Sequence, residues 1–313
     1  MTINKRSMAY GYIVLAAVIF STMEIAGKMV ATQINPMQIT FYRFFIGGIV
    51  LLPWAVKELR ERKLELTKDD AVFFFLVGLL GIAVSMTLYQ LAVVFAMAST
   101  VAIIVCANPI FIIPFAHFLL KEKLTRATIV SLVLSVLGIL CILNPFHLNP
   151  DVKGIVLAIV STVSFSLYTV MGKKRSARYG SLGMTCFSFL SGSLIMLVYI
   201  LISQTPLFAA GDSETLRLLW DIPLVDGINQ GNIVPLVYMG VVVSGLGFLL
   251  YFRAMELTSA ATGAIAFFIK PALAPILSFL ILGETISANT IAGIVLMTIS
   301  TYIAFAGKTS TEG

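Results

Sequence analysis

The chain has 313 residues, of which 59% are hydrophobic and only 12% are charged, and its formal net charge is +6. A soluble domain carries about 25% charged residues, so we expect an integral membrane protein. The basic residues do not indicate nucleic acid, because they lie between apolar runs and not on one continuous face. Cys106, Cys141 and Cys186 lie inside apolar runs, and their number and spacing predict no disulfide, metal site or cofactor.

Ten apolar stretches are long enough to cross a bilayer, since a spanning helix needs about 20 residues. They lie at residues 9–31, 37–56, 71–93, 98–120, 127–145, 153–173, 183–203, 232–254, 260–282 and 287–306. The first stretch follows Lys5 and Arg6, but it is long and precedes many further spans, so we interpret it as a helix and not as a signal peptide. We therefore predict an all-α integral membrane protein with ten transmembrane helices.

The distribution of basic residues predicts the orientation of these helices. With the N-terminus in the cytoplasm, only Lys153 and Arg217 fall in outside loops. The inside bases are Lys5, Arg6, Lys57, Arg60, Arg62, Lys63, Lys68, Lys121, Lys123, Arg126, Lys173, Lys174, Arg175, Arg178, Arg253 and Lys308. The positive-inside rule then predicts a multi-pass protein of the cell (plasma) membrane with both termini in the cytoplasm.

The two halves of the chain carry the same residue pattern. Residues 88–138 can be laid on residues 250–300 without a gap, at an offset of 162, and earlier residues match at an offset of 145. The matches include Leu88-Tyr89 on Leu250-Tyr251, Pro109 on Pro271, Glu122 on Glu284, Gly27-Lys28 on Gly172-Lys173 and Gly47 on Gly192. The chain therefore contains an internal duplication.

The matching loops after Glu122 and Glu284 differ in charge. The first, at residues 121–126, is basic, whereas the second, at residues 283–287, has no base. Copies inserted with opposite orientations would differ in this way, and inverted repeats are common in secondary transporters, whose binding site lies between the copies. We predict two inverted five-helix repeats, at residues 9–145 and 153–306.

Four ionisable residues fall at membrane depth away from span ends: Glu24, Lys28, Arg43 and Lys270. Each costs roughly 2.5–3.5 kcal/mol at the bilayer centre, so such residues face a polar cavity or pair with one another. Lys270 lies near the middle of the ninth span and precedes Pro271, and the equivalent point of the first repeat is Asn108-Pro109. Because proline loosens a helix, we predict bending points at Pro109 and Pro271 and a substrate site that includes Lys270 and Asn108.

Glu24 is the one acid well inside a predicted span, and Lys28 lies on the same helix face four residues later. A pair of Glu24 with Arg43 or with Lys28 is feasible, either as a structural ion pair or as part of the site. A water-accessible Glu24 would be the candidate for proton coupling, because an apolar cavity raises the pKa of a carboxyl group. Three bases against one acid favour an anionic or zwitterionic solute.

Three tyrosines complete the set of candidate binding residues. Tyr89 and Tyr251 occupy equivalent places in the two repeats, and Tyr168 lies in another span. Their hydroxyl groups would bind a solute, although packing and interfacial anchoring are the commoner roles of tyrosine in membranes.

Three motifs resemble the EamA family of the drug/metabolite transporter superfamily. They are residues 36–53 with Arg43-Phe44, residues 98–125 with Asn108-Pro109 and Lys121-Glu122, and residues 260–287 with Gly283-Glu284. The resemblance covers nearly the whole chain as two EamA-like units. It implies ten helices, cytoplasmic termini and a central cavity lined by the first four helices of each unit. It puts Lys28, Arg43, Asn108 and Pro271 at recurrent family positions, whereas Glu24 and Lys270 vary among members and are expected to tune the substrate.

We therefore predict a secondary transporter that exports a small zwitterionic or anionic metabolite, such as an amino acid, by alternating access. The alternatives are an exporter of cationic drugs or quaternary amines that uses Glu24, and a channel-like facilitator. An enzyme is not expected, because the spans lack His-Glu-x-x-His and hold no aspartate, and no phosphate-binding loop of an ATPase is present. The predicted partners are the small-molecule substrate, the lipid bilayer and protons if Glu24 couples transport. The sequence fits a monomer or a homodimer equally.

Overall fold

A computed structural model describes residues 5–30, 33–96, 101, 104–143, 152–205, 219–282 and 288–309. Over these residues every regular element is a helix, and no strand is present among them. This agrees with the apolar composition, because a helix satisfies its backbone hydrogen bonds within one segment and is therefore stable in lipid.

The first half of the described chain folds into helices that follow the predicted spans. Helices α1 (Lys5–Ser21) and α2 (Met23–Val30) share the first span, with a turn at Thr22 between them. Helix α3 (Pro36–Glu61) begins after Asn35, whose side chain accepts a hydrogen bond from the backbone N–H of Met37. The remaining elements are α4 (Lys68–Gly78), a first π-helical segment (Leu79–Met86), α5 (Thr87–Phe95), α6 (Asn108–Leu120) and α7 (Arg126–Leu143).

The second half begins with a long helix that contains one break. Helix α8 (Val152–Ser203) covers the sixth and seventh predicted spans, and Gly180 interrupts it with φ 74° and ψ 166°. The positive φ favours glycine here, and a Cβ at this position would also lie 2.4 Å from Oε1 of Glu58. The following elements are α9 (Ile233–Tyr238), a second π-helical segment (Met239–Gly247), α10 (Phe248–Leu257), α11 (Ala260–Gly263), α12 (Ala266–Leu282) and α13 (Ala288–Thr309).

The outer surface of the helices is apolar. Four helical stretches in the described residues are long and apolar enough to cross a membrane: Pro36–Glu61, Lys68–Phe95, Val152–Ser203 and Ile233–Leu257. Shorter apolar helices, such as Ile104–Leu120, accompany them. Large apolar side chains point outward, and Phe118 is 77% exposed. Such a surface is suited to lipid and not to water, and it identifies a membrane protein.

A pair of close glycine contacts occurs in both halves of the chain. A Cβ on Gly47 would lie 2.9 Å from the carbonyl oxygen of Gly240, and a Cβ on Gly192 would lie 2.9 Å from that of Gly78. Gly47 and Gly192 are equivalent at the offset of 145, and Gly78 and Gly240 are equivalent at the offset of 162. The small residues let the backbones of each helix pair touch, so the duplication seen in the sequence is also present in the packing.

The two π-helical segments lie at nearly equivalent positions as well. Leu79–Met86 falls on residues 241–248 at the offset of 162, and the second segment is Met239–Gly247. Segments of this kind are rare inside α-helices and often mark functional sites. Each half thus has a π-helical segment, which is wider than an α-helix, at a nearly equivalent place in its sequence.

Connections that the positive-inside rule assigns to the inner side meet at one end of the helical bundle. Nη2 of Arg62 lies 2.7 Å from Oε1 of Glu58 and 3.6 Å from Oε1 of Glu256. The hydrogen bonds that Arg62 donates to the carboxylate of Glu58 raise the pKa of Arg62, so this guanidinium stays charged. Arg178 pairs with Asp70 at 2.9 Å at the same end. These contacts join the end of α3 to the end of α10, and the beginning of α4 to α8 close to its break at Gly180.

Connections that are assigned to the outer side meet at the opposite end. Nε2 of Gln38, in the first turn of α3, donates to the carbonyl oxygens of Leu224 and Asp226 at 2.9 and 3.1 Å. The amide of Asn232 donates to Oε1 of Gln33 at 2.8 Å. The segment before α9 is therefore fixed over the start of α3.

Helices α7 and α13, the last of each predicted repeat, pack against each other. The hydroxyl groups of Ser135 and Ser300 lie 2.6 Å apart, and Ser300 Oγ donates to the carbonyl oxygen of Ser131 at 2.6 Å. Hydroxyl hydrogen bonds and small residues hold helices together where lipid supplies no hydrophobic driving force.

Candidate functional site

A central cavity lies between helices from both halves of the chain. About 480 Å³ of empty space lies within it, its open mouth included. Its described walls come from α1, α2, α3, the first π-helical segment, α5, α8, α10 and α12, with Val105 before α6.

Two basic residues line this cavity. Lys270 lies in α12 and is 4% exposed, and Arg43 lies in α3 and is 1% exposed. The described lining contains no aspartate or glutamate. In a poorly solvated cavity charges interact more strongly than in water, so these two groups dominate the electrostatics of the described lining.

Arg43 is held in place by both halves of the chain. Its Nε donates to Oγ of Ser244 in the second π-helical segment at 3.0 Å, and its Nη2 lies 3.5 Å from Sδ of Met23. The guanidinium carbon lies 4.8 Å from the ring centroid of Phe44. Cation–π contact and hydrogen bonding fix the orientation of a buried guanidinium. Arg43 therefore brings a fixed charge to the cavity wall.

Aromatic side chains form part of the wall. Phe20, Phe165, Phe248 and Phe267 line the cavity together with Met23 and Met86. The ring centroids of Phe20 and Phe248 lie 5.2 Å apart, and those of Phe165 and Phe248 lie 5.8 Å apart, both edge to face. Such a wall suits the apolar or aromatic part of a solute, and methionine sulfur adds a polarisable contact.

Hydroxyl groups from α8 supply the neutral polar part of the lining. Ser161 and Thr162 both line the cavity. Ser161 and Ser85 exchange hydrogen bonds, with Oγ of Ser161 2.7 Å from the carbonyl oxygen of Ser85 and Oγ of Ser85 2.9 Å from that of Ser161. The first π-helical segment is thus joined to the cavity wall.

The predicted binding residues fall into two groups by position. Tyr89 lines the cavity together with Lys270 and Arg43. Asn108, Tyr168 and Tyr251 are fully buried behind the lining.

Each residue of the buried group has a described contact with a neighbouring residue. Ser166 Oγ lies 2.9 Å from Oδ1 of Asn108 and 2.7 Å from the carbonyl oxygen of Thr162, and the hydroxyl of Tyr168 lies 3.0 Å from Ser188 Oγ. The ring of Tyr251 packs edge to face on Phe267 at 5.6 Å.

The side chains of Glu24, Lys28 and Pro271 lie outside the described residues, although their backbones belong to α2 and α12. Pro109 lies in the first turn of α6, directly after an interruption at Ala107. A proline in this position is tolerated, because the first N–H groups of a helix have no intrahelical partner. A comparable interruption at residues 264–265 separates α11 from α12, six residues before Pro271.

Sequence reasoning did not single out the aromatic wall or Ser244. The chain has 22 phenylalanines distributed over its apolar stretches, so their residue type alone does not distinguish lining from lipid-facing positions. The adjacent polar pair Ser161 and Thr162 in the sixth span was a usable signal, since both residues line the cavity.

Comparison with known proteins gives consistent results. The model of the EamA-like transporter family matches residues 7–144 and again residues 152–306. An "uncharacterized transporter" of Clostridium kluyveri is 39% identical over 307 residues, which cover 96% of this chain and 93% of that protein. An S-adenosylmethionine uptake transporter of Rickettsia prowazekii is 25% identical over 264 residues, covering 81% of this chain and 87% of that protein. A solved crystal structure can be superposed on 98% of this chain, with 99% of its own chain covered, at a TM-score of 0.74 and 18% sequence identity. This likeness supports the fold alone.

Proposed function

The chain belongs to the EamA-like transporter family, and from that premise we propose that it is a secondary active transporter of a small zwitterionic or anionic metabolite, such as an amino acid. The single observation that supports the proposed substrate class is that two basic residues, Lys270 and Arg43, line the same cavity. We assign export as the direction, following the family that the sequence motifs resemble.

We further propose that the two family units are inverted five-helix repeats, at residues 9–145 and 153–306, which together make ten transmembrane helices. The equivalent glycine contacts and the equivalent π-helical segments support this arrangement. So does the meeting of predicted inner loops at one end of the bundle and of predicted outer loops at the other. The two repeats would rock about the cavity and expose it to each side in turn.

In this mechanism Lys270 attracts the carboxylate of the solute. Arg43, fixed by Ser244, adds positive potential to the same cavity. The aromatic wall receives the apolar part of the solute, and Ser161, Thr162 and Tyr89 offer hydroxyl groups. Glu24 is proposed to bind an amino group or to carry a proton, and Asn108 to fix the wall through Ser166.

The cavity does not favour a cationic drug as substrate, because both charged residues in its described lining are basic. S-Adenosylmethionine, the substrate for which the Rickettsia relative is named, combines an amino acid group and an aromatic base with a positive sulfonium. The first two features suit the carboxylate-binding and aromatic parts of the cavity, whereas the sulfonium does not suit its charge. As candidate substrates, we therefore rank amino acids with uncharged side chains and aromatic carboxylates above S-adenosylmethionine.

A thermal-shift screen followed by proteoliposome exchange tests the proposal. Ligand at 100 times its dissociation constant stabilises the folded state by about 2.7 kcal/mol, which raises the melting temperature of the purified protein. We expect carboxylate-bearing metabolites to do this, and a labelled form of the best ligand to show saturable counter-exchange. Stabilisation by permanently cationic compounds alone, or flux that does not saturate, would contradict the proposed substrate class or the carrier mechanism.

A further inference from the structure

The carboxylate of Glu122 binds the beginning of a helix in the other half of the chain. Oε1 of Glu122 accepts a hydrogen bond from the backbone N–H of Ala260 at 2.8 Å, and Oε2 accepts one from Ala261 at 3.2 Å. Ser259 Oγ accepts the next N–H, that of Thr262, at 3.0 Å. Glu122 thus completes the N-terminal cap of α11 from a distant part of the sequence.

The ammonium of Lys173 binds the other side of the same loop. It donates to the carbonyl oxygen of Met255 and lies 3.5 Å from that of Glu256, both in the last turn of α10. The carbonyl groups at a helix C-terminus carry partial negative charge, and the N–H groups at an N-terminus carry partial positive charge. Lys173 and Glu122 therefore each match the charge of the helix end that they contact.

We call these contacts the 255–261 clamp, with Glu122 and Lys173 on one side and residues 255–261 on the other. Glu122 is fixed to the end of α6, because Nδ1 of His117 lies 2.8 Å from its backbone oxygen. Lys173 belongs to α8. An open pocket with about 730 Å³ of space, its mouth included, is lined by Glu122, Lys173, Lys174 and Glu256. Water in this pocket can replace the clamp contacts when they break.

The clamp controls a part of the chain that reaches the cavity. Directly beyond α11 is α12, which carries Phe267 and Lys270 into the cavity wall. Separation of residues 255–261 from Glu122 and Lys173 would therefore move two of the lining residues. The predicted inner loops lie at this end of the bundle, next to the pairs of Arg62 with Glu256 and of Arg178 with Asp70.

We infer that the 255–261 clamp holds the proposed cytoplasmic entrance closed, so that Glu122 and Lys173 are gating residues that act through residues 255–261 without binding the solute. The inference rests on the proposed alternating-access function. Because a clamp stabilises one conformation, removing a charge from it shifts the population toward the state that is open to the cytoplasm.

The test measures how fast a membrane-impermeant methanethiosulfonate reagent reaches a single cysteine in the cavity. Cys106, Cys141 and Cys186 are replaced by alanine, and Met86→Cys provides the reporter, since Met86 lines the cavity. Labelling is followed in inside-out and in right-side-out vesicles. Glu122→Gln and Lys173→Gln break the clamp. Glu61→Gln, whose side chain is 65% exposed, and Lys174→Gln, the exposed neighbour of Lys173, are the matched controls.

We expect Glu122→Gln and Lys173→Gln each to raise labelling from the cytoplasmic face about fivefold over their controls, and to lower labelling from the outer face. If the parent protein is labelled from both faces and Glu122→Gln is labelled at the same rate as Glu61→Gln, the clamp is overturned while the proposed function stays intact. Labelling of the parent from one face alone would overturn alternating access and the clamp with it. An increase at both faces would indicate loosened packing and would also contradict the clamp.

Discussion

Nε of Arg43 donates a hydrogen bond to Oγ of Ser244 at 3.0 Å, and both groups are buried. The bond joins α3, in the first family unit, to the second π-helical segment, in the second unit. A buried guanidinium is costly in a membrane unless hydrogen bonds and a polar cavity receive it. This contact therefore couples the packing of the two units to the position of a cavity charge.

Ser244→Ala tests how much that hydrogen bond contributes to the stability of the folded protein. A hydrogen bond to a charged group contributes about 1.5–3 kcal/mol, so we expect a lower melting temperature in detergent. Ser193→Ala is the control, because Ser193 is equally buried and its hydroxyl group has no hydrogen-bond partner within the described part of the chain. Equal melting temperatures of the two variants would show that Ser244 does not hold Arg43.

Lys270→Ala tests the proposed carboxylate contact. We expect it to lower the rate of counter-exchange about 10–100-fold for the ligand that the thermal-shift screen identifies. This factor corresponds to the loss of one charge-assisted hydrogen bond. Lys270→Arg keeps the charge and should retain more of the activity, while the exposed Lys174→Ala should behave like the parent. The measurement is the initial rate of exchange in proteoliposomes with equal amounts of monodisperse protein. Unchanged exchange in Lys270→Ala would remove its proposed role.

Gly78→Ala tests the glycine contact between the halves. The new Cβ would lie 2.6 Å from the backbone nitrogen of Gly192, where neither backbone can move without the other. Overpacking of this kind costs about 1–3 kcal/mol, and a lower melting temperature is the expected readout. Gly11→Ala is the matched control, since no atom lies within 4 Å of its added Cβ, and it should be neutral or slightly stabilising. Equal effects of both variants would argue against close packing at Gly78.

Phe267→Leu tests the aromatic wall. For a ligand that contains an aromatic ring, we expect affinity to fall about 2–10-fold, because an aromatic pair contributes about 0.5–1.5 kcal/mol beyond its buried area. Phe118→Leu, at a side chain that is 77% exposed on the outer surface, is the control and should leave affinity unchanged. Binding isotherms of the two purified variants give the comparison. A drop of equal size in both would contradict a direct contact with Phe267.

The apolar stretches and the distribution of charge were sufficient to predict a helical membrane protein, and the motifs that resemble the EamA family predicted its family. The positions of Lys270 and Arg43 at membrane depth also pointed to the cavity that both residues line, because buried charges need a polar environment. Tyr168 and Tyr251 could not be separated from Tyr89 in the same way. A tyrosine packs in a core or lines a cavity with equal ease, and only the neighbouring helices decide which.

Other features leave little trace in the sequence. The break at Gly180 lies inside a long apolar pattern in which other glycines are helical, and the π-helical segments depend on a hydrogen-bond register that has no characteristic residue type. The contact of Glu122 with Ala260 is likewise invisible in the pattern, since it joins residues 138 positions apart. Each of these features is set by tertiary packing and not by local preference.

The most direct test of the account is the membrane sidedness of the two matching loops. Lys123→Cys and Thr285→Cys place single cysteines at equivalent positions of the two repeats in a background without other cysteines, and an impermeant maleimide is applied to right-side-out and to inside-out vesicles. The inverted-repeat account predicts that position 123 reacts from the cytoplasmic face and position 285 from the outer face. Reaction of both positions from the same face would contradict it.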